Sequence, residues 1–376
     1  MLYRDFSGEK LSALGLGCMR LPLVDGNDST IDQDALNHMV DEALRSGINY
    51  FDTAYMYHGG TSEEAVGRAL GRHPRESWHL ATKFPWSELK KERPCAEVFE
   101  EQLRRCGVSY FDFYLLHNVS DANIDLFLDE KAGLLPYLLE QKAQGRIRHL
   151  GFSTHGSLGM IERFLDRCGE HMEFCQIQLN WLDWTFQNAG KKVELLNRRG
   201  LPIWVMEPVR GGRLAKLSDV QAARLAALRP EESLPGWCFR FLQTLPGVTM
   251  VLSGMSNMQQ LQENVRSWSV SAPLSDGEFS ALLALGEELG RELEIPCTGC
   301  RYCVEGCPAA LEIPALLKLY NEGCRGDGPI SDGTRAAVAA ATGPESCLAC
   351  RRCEAVCPQQ IRVSAVMADF AGKLRG

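Results

Sequence analysis

The sequence predicts an α/β protein: a (β/α)8 barrel followed by a small cysteine-rich domain. Three observations carry this. Eight short apolar strands alternate with helical segments over about 270 residues, the count and length of such a barrel. Asp52, Lys83 and His117 stand at the ends of three successive strands, with Tyr57 five residues after the first. Strand C-termini form one face of a parallel barrel, and catalysis is found on that face. Finally, nine of the 15 cysteines fall between Cys297 and Cys357, eight of them in two copies of one spacing.

Leu11 to Met19 reads as the first strand, with Gly15 and Gly17 allowing close backbone approach. It is not a dinucleotide fingerprint, because the third glycine is missing. Asp32 to Arg45 is a helix with apolar residues at Ala35, Met39, Ala43 and Leu44, stopped by Gly47. Ile48 to Phe51 is a buried strand that ends in Asp52. Thr61 is placed to cap the helix Ser62 to Leu70, with Glu64 completing a capping box.

The alternation continues. Strands are expected at Trp78 to Lys83, Asp112 to His117, His149 to Ser153, Phe174 to Leu179, Ile203 to Glu207 and Val248 to Ser253. Helices are expected at Ala96 to Arg105, Leu134 to Gln144, Leu158 to Arg167, Lys191 to Arg199, within 219–244, and at Met258 to Arg266. A doubly wound open sheet is the alternative, but it carries fewer strands and a phosphate fingerprint absent here. The expected division is a barrel over 1–270, a linker with the helix Asp276 to Arg291 over 271–296, and a small domain over 297–376. In the last, a helix Ala315 to Asn321 precedes a Gly- and Ala-rich connector, Gly323 to Gly343.

Composition bounds the function. A net charge of -8 gives no electrostatic reason to bind nucleic acid or an anionic membrane. No run of 18 apolar residues suggests a spanning helix, and Met1 to Phe6 shows no signal-peptide core. The expectation is a cytoplasmic protein, and metal-ligand cysteine spacing fits a reducing compartment.

Each cysteine copy reads C-x2-C-x2-C-x3-C-P: Cys297, Cys300, Cys303 and Cys307, then Cys347, Cys350, Cys353 and Cys357. Three closely spaced thiolates wrap a cubane iron–sulfur cluster, and the cysteine before proline ligates the other cluster of a pair. Cys297, Cys300, Cys303 and Cys357 are therefore assigned to one [4Fe-4S] cluster. Cys347, Cys350, Cys353 and Cys307 are assigned to the other. The segment resembles a bacterial two-cluster ferredoxin, which implies a small α+β ferredoxin-like domain. Structural zinc favours two separated pairs and is the weaker alternative, as is a single cluster. Cys18, Cys95, Cys106, Cys168, Cys175, Cys238 and Cys324 show no spacing and read as small buried hydrophobes.

With Asp52, Tyr57, Lys83 and His117 in place, the first 270 residues resemble an aldo-keto reductase, a TIM-type barrel. The resemblance implies that Tyr57 protonates a carbonyl oxygen as hydride arrives. A free tyrosine has a pKa near ~10, which a neighbouring ammonium lowers, and Asp52 would hold Lys83 in place. His117 would orient the carbonyl or help move the proton. The resemblance also implies NADP(H) or NAD(H) across the barrel mouth. Ser153, Thr154 and Gln176 would hold the carboxamide, Thr154 where the family usually has Asn. Met206 stands where an aromatic commonly stacks on the nicotinamide. Pro208, Arg210 and Gly212 match the loop over the pyrophosphate. Ser253, Gly254, Ser256, Gln260, Glu263 and Asn264 match the adenosine-phosphate site, with Gln260 where NADP-specific members often have Arg.

Tyr55, Trp86, Trp181 and Trp184 are substrate-side candidates or packing residues, the best of them being the stretch Asn180 to Asp183 just past the sixth strand. Three readings of the whole follow. One is an NAD(P)H-linked reductase of small carbonyl compounds that carries clusters. Another is an electron-transfer reductase, with an electron-transfer protein as partner, whose clusters feed a flavin (no motif for one is evident) or other barrel-bound centre for reductions such as that of an activated C=C bond. The last is a redox-sensing subunit without catalysis.

Overall fold

The computed structural model describes residues 1–291, 295–304, 306–323 and 330–375. Its backbone divides into two compact units, Met1–Gly286 and Glu287–Gly376.

The first unit is a closed eight-stranded parallel barrel. Two further strands precede it. β1 (Tyr3–Phe6) and β2 (Glu9–Ser12) form an antiparallel hairpin. The barrel strands follow: β3 (Leu14–Gly17), β4 (Tyr50–Asp52), β5 (His79–Pro85), β6 (Phe111–Val119), β7 (Ile147–Thr154), β8 (Cys175–Gln178), β9 (Ile203–Met206) and β10 (Val248–Gly254). β10 pairs with β3 and closes the ring, so the barrel itself has no open edge. The predicted strand Leu11 to Met19 is thus two strands. Leu11 belongs to the hairpin, and the barrel strand begins only at Leu14.

The hairpin seals the bottom of the barrel. Phe6 and Leu11 join a buried cluster with Tyr50, Phe113, Phe174 and Trp204. Phe6 meets Trp204 edge-on, with ring centroids 4.9 Å apart. The barrel interior below the rim of strand C-termini is therefore packed rather than open.

Helices cover the outside. Asp32 caps the helix Gln33–Arg45 by accepting a hydrogen bond from the Ala35 amide. The expected capping box at Thr61 is not formed. Thr61 is itself near-helical and its hydroxyl donates to the His58 carbonyl, so it satisfies the preceding turn instead. The helix Asp276–Arg291 sets Phe279 against Trp184 and Phe241, and Glu278 pairs with Arg229.

The second unit carries the helices Ile313–Gly323, Asp332–Ala339, Arg352–Ala355 and Val363–Arg375, and no strand among its described residues. The expected helix Ala315 to Asn321 is longer by two residues at each end. The expected connector contains a helix of its own, capped by Ser331, while 324–329, including Cys324, lie outside the described residues. Leu311, Leu316, Leu317, Met367 and Phe370 form the unit's apolar core.

Candidate active site and cysteine pockets

Asp52, Lys83 and His117 reach one place because of the strand register. Asp52 pairs with Ala81, and Lys83 lies two residues further along β5. Lys83 pairs with Leu115, and His117 lies two residues further along β6. A step of two keeps each side chain on the same inward face while following the tilt of the strands. Tyr57 comes from the turn after β4.

The group is almost wholly buried: Lys83 is 0% exposed, Asp52 and His117 3% each, and Tyr57 6%. The Lys83 ammonium donates to Asp52 Oδ1 at 2.5 Å, to the Thr53 carbonyl at 2.7 Å and to the Tyr57 hydroxyl at 3.4 Å. Tyr57 and His117 meet edge to face at 5.9 Å. Burial pushes the Asp52 carboxyl up against the pull of Lys83. Burial, with the Lys83 charge and His155, holds His117 far below the ordinary imidazole value, so it is neutral at physiological pH. The arrangement offers a phenol backed by an ammonium, with a neutral imidazole beside it.

The residues expected to hold a nucleotide ring the same rim. Ser153 Oγ accepts from the Asn118 amide at 2.8 Å, and Thr154 Oγ1 donates to the Val119 carbonyl at 2.6 Å. Gln176 is buried, and its Oε1 has no hydrogen-bond partner among the described residues. An orphaned buried amide of this kind suits a carboxamide ligand. Met206 ends β9 and is partly exposed. Pro208 is buried, and Gly211 and Gly212 at positive φ carry the chain onward. Arg210 does not face outward. Its guanidinium is 1% exposed at the residue level and pairs with Asp183 at 3.0 and 3.1 Å.

At the end of β10, Ser253 accepts from Asn264 at 3.0 Å, and Asn257 caps the helix Met258–Ser267. Gln260 Oε1 accepts from the Ser256 amide at 2.8 Å, and Glu263 pairs with Gln259. The Arg20 side chain lies against Gly254, where an added Cβ would fall 2.9 Å from its Cγ. Sequence reading did not bring Arg20 to this rim.

Among the loop aromatics, Trp181 is 1% exposed with its indole N–H on Cys238 Sγ, and Trp184 packs on Phe241 and Phe279. Both are packing residues. Tyr55 is held by Arg93 and Glu101, and Trp86 opens a short helix after β5. Sequence reading also missed the buried network around Asp183, which accepts from Gln178 and Asn180 at 2.7 and 2.8 Å as well as from Arg210. The available signal was a run of polar residues, Gln178, Asn180 and Asp183, beside an apolar strand.

In the second unit the eight cysteines line two pockets. Cys297, Cys300, Cys303 and Cys357 surround one with about 320 Å³ of empty space, part of it open to solvent. Cys307, Cys347, Cys350 and Cys353 surround another of about 360 Å³. Among the described residues, no three His, Cys, Asp or Glu side chains are gathered as around a single ion. The thiols stand instead around a wider space. Burial raises the Cys303 thiol, and Cys300, Cys297 and Cys357 raise it further. Backbone amides of Gly299 and Leu311 point at Cys297 and Cys307 sulfurs at 3.4 and 3.5 Å.

Comparison with known proteins accords with both halves. Residues 296–361 match the 4Fe-4S dicluster domain. The chain is 27% identical to the NADH-specific methylglyoxal reductase of Escherichia coli (strain K12), over 75% of this chain and 96% of that protein. The holo form of aldo-keto reductase AKR11C1 from Bacillus halodurans superposes with a TM-score of 0.62 at 26% identity, covering 76% of this chain and 96% of that one. An aldo/keto reductase from Klebsiella pneumoniae, in complex with NADP and acetate, shares the fold at 22% identity and a TM-score of 0.58, covering 74% of this chain and 92% of its own. No helix among the described residues is long and apolar enough to cross a membrane. With residues 13–287 matching its model and the strand-end tetrad assembled on a closed barrel, the chain belongs to the aldo/keto reductase family.

Proposed function

We propose that the barrel reduces a small-molecule carbonyl compound with NAD(P)H, using Tyr57 as the general acid, and that the second unit holds two [4Fe-4S] clusters. The observation that carries the first part is the buried contact of Lys83 with both Asp52 and Tyr57. Bound NAD(P)H would supply the hydride. The Tyr57 hydroxyl donates its proton to the carbonyl oxygen, and Lys83 stabilises the phenolate left behind. Asp52 keeps the ammonium in place. Neutral His117, beside the Tyr57 ring, orients the carbonyl oxygen. Gln176, with its unmatched Oε1, and Ser153 hold the carboxamide.

The support from relatives is coarser. The Escherichia coli protein is named an NADH-specific reductase, and it covers almost its whole length here. For the clusters, the support is the division of thiols between two pockets. Cys297, Cys300, Cys303 and Cys357 would hold one cluster, and Cys307, Cys347, Cys350 and Cys353 the other. Each cluster would store a single electron.

Tyr57→Phe tests the acid. Carbonyl reduction should fall at least ~100-fold, the lower range for a general acid. Binding of NADH and NADPH, followed by fluorescence titration, should change little. Turnover retained at the wild-type rate would remove Tyr57 from this role.

A further inference from the structure

The two cysteine loops share one spacing but not one environment. In the first, Thr298 is buried, and Gly299, Cys300, Arg301 and Tyr302 are partly covered. In the second, Leu348, Ala349, Cys350, Arg351 and Arg352 form an unbroken exposed run. Leu348 is 68% exposed, among the few large apolar side chains so placed. Leu348 and Arg351 also line the pocket of Cys307, Cys347, Cys350 and Cys353.

The charge around this tip is one-sided. Between Cys347 and Arg362 the chain has three arginines, Arg351, Arg352 and Arg362, all exposed, and a single acid, Glu354. Glu354 is partly buried and accepts from the Ser364 amide and hydroxyl at 2.9 and 2.5 Å. Arg351 lies 3.5 Å from it and Arg362 also acts on it, so three guanidiniums share one carboxylate in this stretch. On a chain of net charge -8 this is a local reversal of sign. An apolar centre with a charged rim is the make-up of a short-lived docking surface, and the sign of the rim selects the partner.

We propose that this face docks an acidic one-electron carrier protein, which exchanges electrons with the cluster held by Cys307, Cys347, Cys350 and Cys353. The inference rests on the cluster reading given above. In each exchange one electron leaves the reduced carrier and enters the oxidised cluster, or returns. No bond forms or breaks and no proton is required. The other basic-surface ligands, nucleic acid and anionic lipid, accept no electron and so give no reason for a cluster ligand to be exposed at the same tip. The first loop, with its covered residues, is not part of this face.

The test uses anaerobic, full-length protein with its clusters, reduced by dithionite and then desalted. Electron transfer is followed by stopped flow to two carriers: oxidised flavodoxin, which is acidic, and oxidised cytochrome c, which is basic. The expected result is a flavodoxin rate that falls with added NaCl and drops ~10-fold or more in R351E/R352E. The cytochrome c rate should hold or rise in that variant. Iron content and the dithionite-reduced spin signal report whether the variant keeps its clusters. If it loses iron, Arg352→Gln and the salt series on the native protein decide. A flavodoxin rate independent of salt, or unchanged in an iron-replete variant, overturns the proposal alone. Native protein without iron would overturn the cluster reading and this one together.

Discussion

Lys83 uses all three of its ammonium donors within the protein, on Asp52, Thr53 and Tyr57. It is therefore both a neighbour of the phenol and the counter-charge of a buried acid. Lys83→Met keeps the volume and removes the charge. Asp52 then stands with a buried carboxylate whose Oδ2 has no partner among the described residues. Breaking such a pair costs about 3–5 kcal/mol. The pH dependence has a definite sign. Burial already raises the Asp52 carboxyl, and loss of Lys83 raises it further. A carboxyl raised in the folded state destabilises the fold once pH exceeds its unfolded value, and costs nothing below that value. Urea midpoints of Lys83→Met should therefore approach native at about pH 4 and fall well short at about pH 8. Equal deficits at both pH values would show that Asp52 does not depend on this lysine.

At the scale of elements, two contacts between distant segments shape the barrel ends. At the bottom, the hairpin reaches the barrel through Glu9, whose carboxylate lies 3.5 Å from His79 and 3.7 Å from His149. His149 also bonds Glu173 at 2.8 Å, beside Lys142, and Asp112 is held by Arg75 and Arg148 close by. Burial would lower His149, but Glu173 and Glu9 outweigh it and raise its pKa to about 9. Burial would raise Glu173, but His149 and Lys142 hold it at about 2. The stability that His149 contributes is complete below its ordinary value of 6.5 and is lost as pH rises through about 9. The stability difference between native protein and His149→Gln should therefore shrink from pH 6 to pH 9.5 (about half a unit beyond each end of that window). A constant difference in thermal midpoint would remove the charged latch. At the top, Asp183→Asn leaves the Arg210 guanidinium buried without its anion. Asn180 also ties this group to the Glu207 carbonyl, so the loop after β9 should loosen. The expected outcome is a loss of about 3–5 kcal/mol in stability and weaker NAD(P)H binding, with the paired change Asp183→Leu and Arg210→Met costing less than the single one. A single variant as stable as the native chain would place the pair outside the loop's support.

For the molecule as a whole, what could be read from sequence was what is local. Asp52, Lys83 and His117 each follow a run of apolar residues, so strand-end position and chemistry were visible together. The cysteine pairing across 50 residues was readable because the two copies repeat one spacing. The Asp183–Arg210 pair, its partners 27 positions apart, left no such trace. The break at Ala13 was hidden because Leu11 and Leu14 are equally apolar, and only the hairpin's antiparallel pairing separates them. The same division into local units bears on how the chain fails. The barrel has its own closed sheet and plug, and the second unit its own apolar core of Leu311, Leu316, Leu317, Met367 and Phe370. Yet that small core is lined by the cysteines themselves: Cys297, Cys303, Cys307, Cys347 and Cys357 pack against it. A unit of this size draws much of its stability from its bound groups. Cys300→Ala removes one thiol from the pocket it shares with Cys297, Cys303 and Cys357, and Cys300 does not line the other pocket. Iron in anaerobically purified protein should fall from about eight atoms per chain to about four. The second unit should become sensitive to proteolysis, while far-ultraviolet dichroism and binding of NAD(P)H report an intact barrel. Loss of the barrel along with the iron would mean that the two units fold as one, and native protein with only about four iron atoms would leave one of the pockets without its cluster.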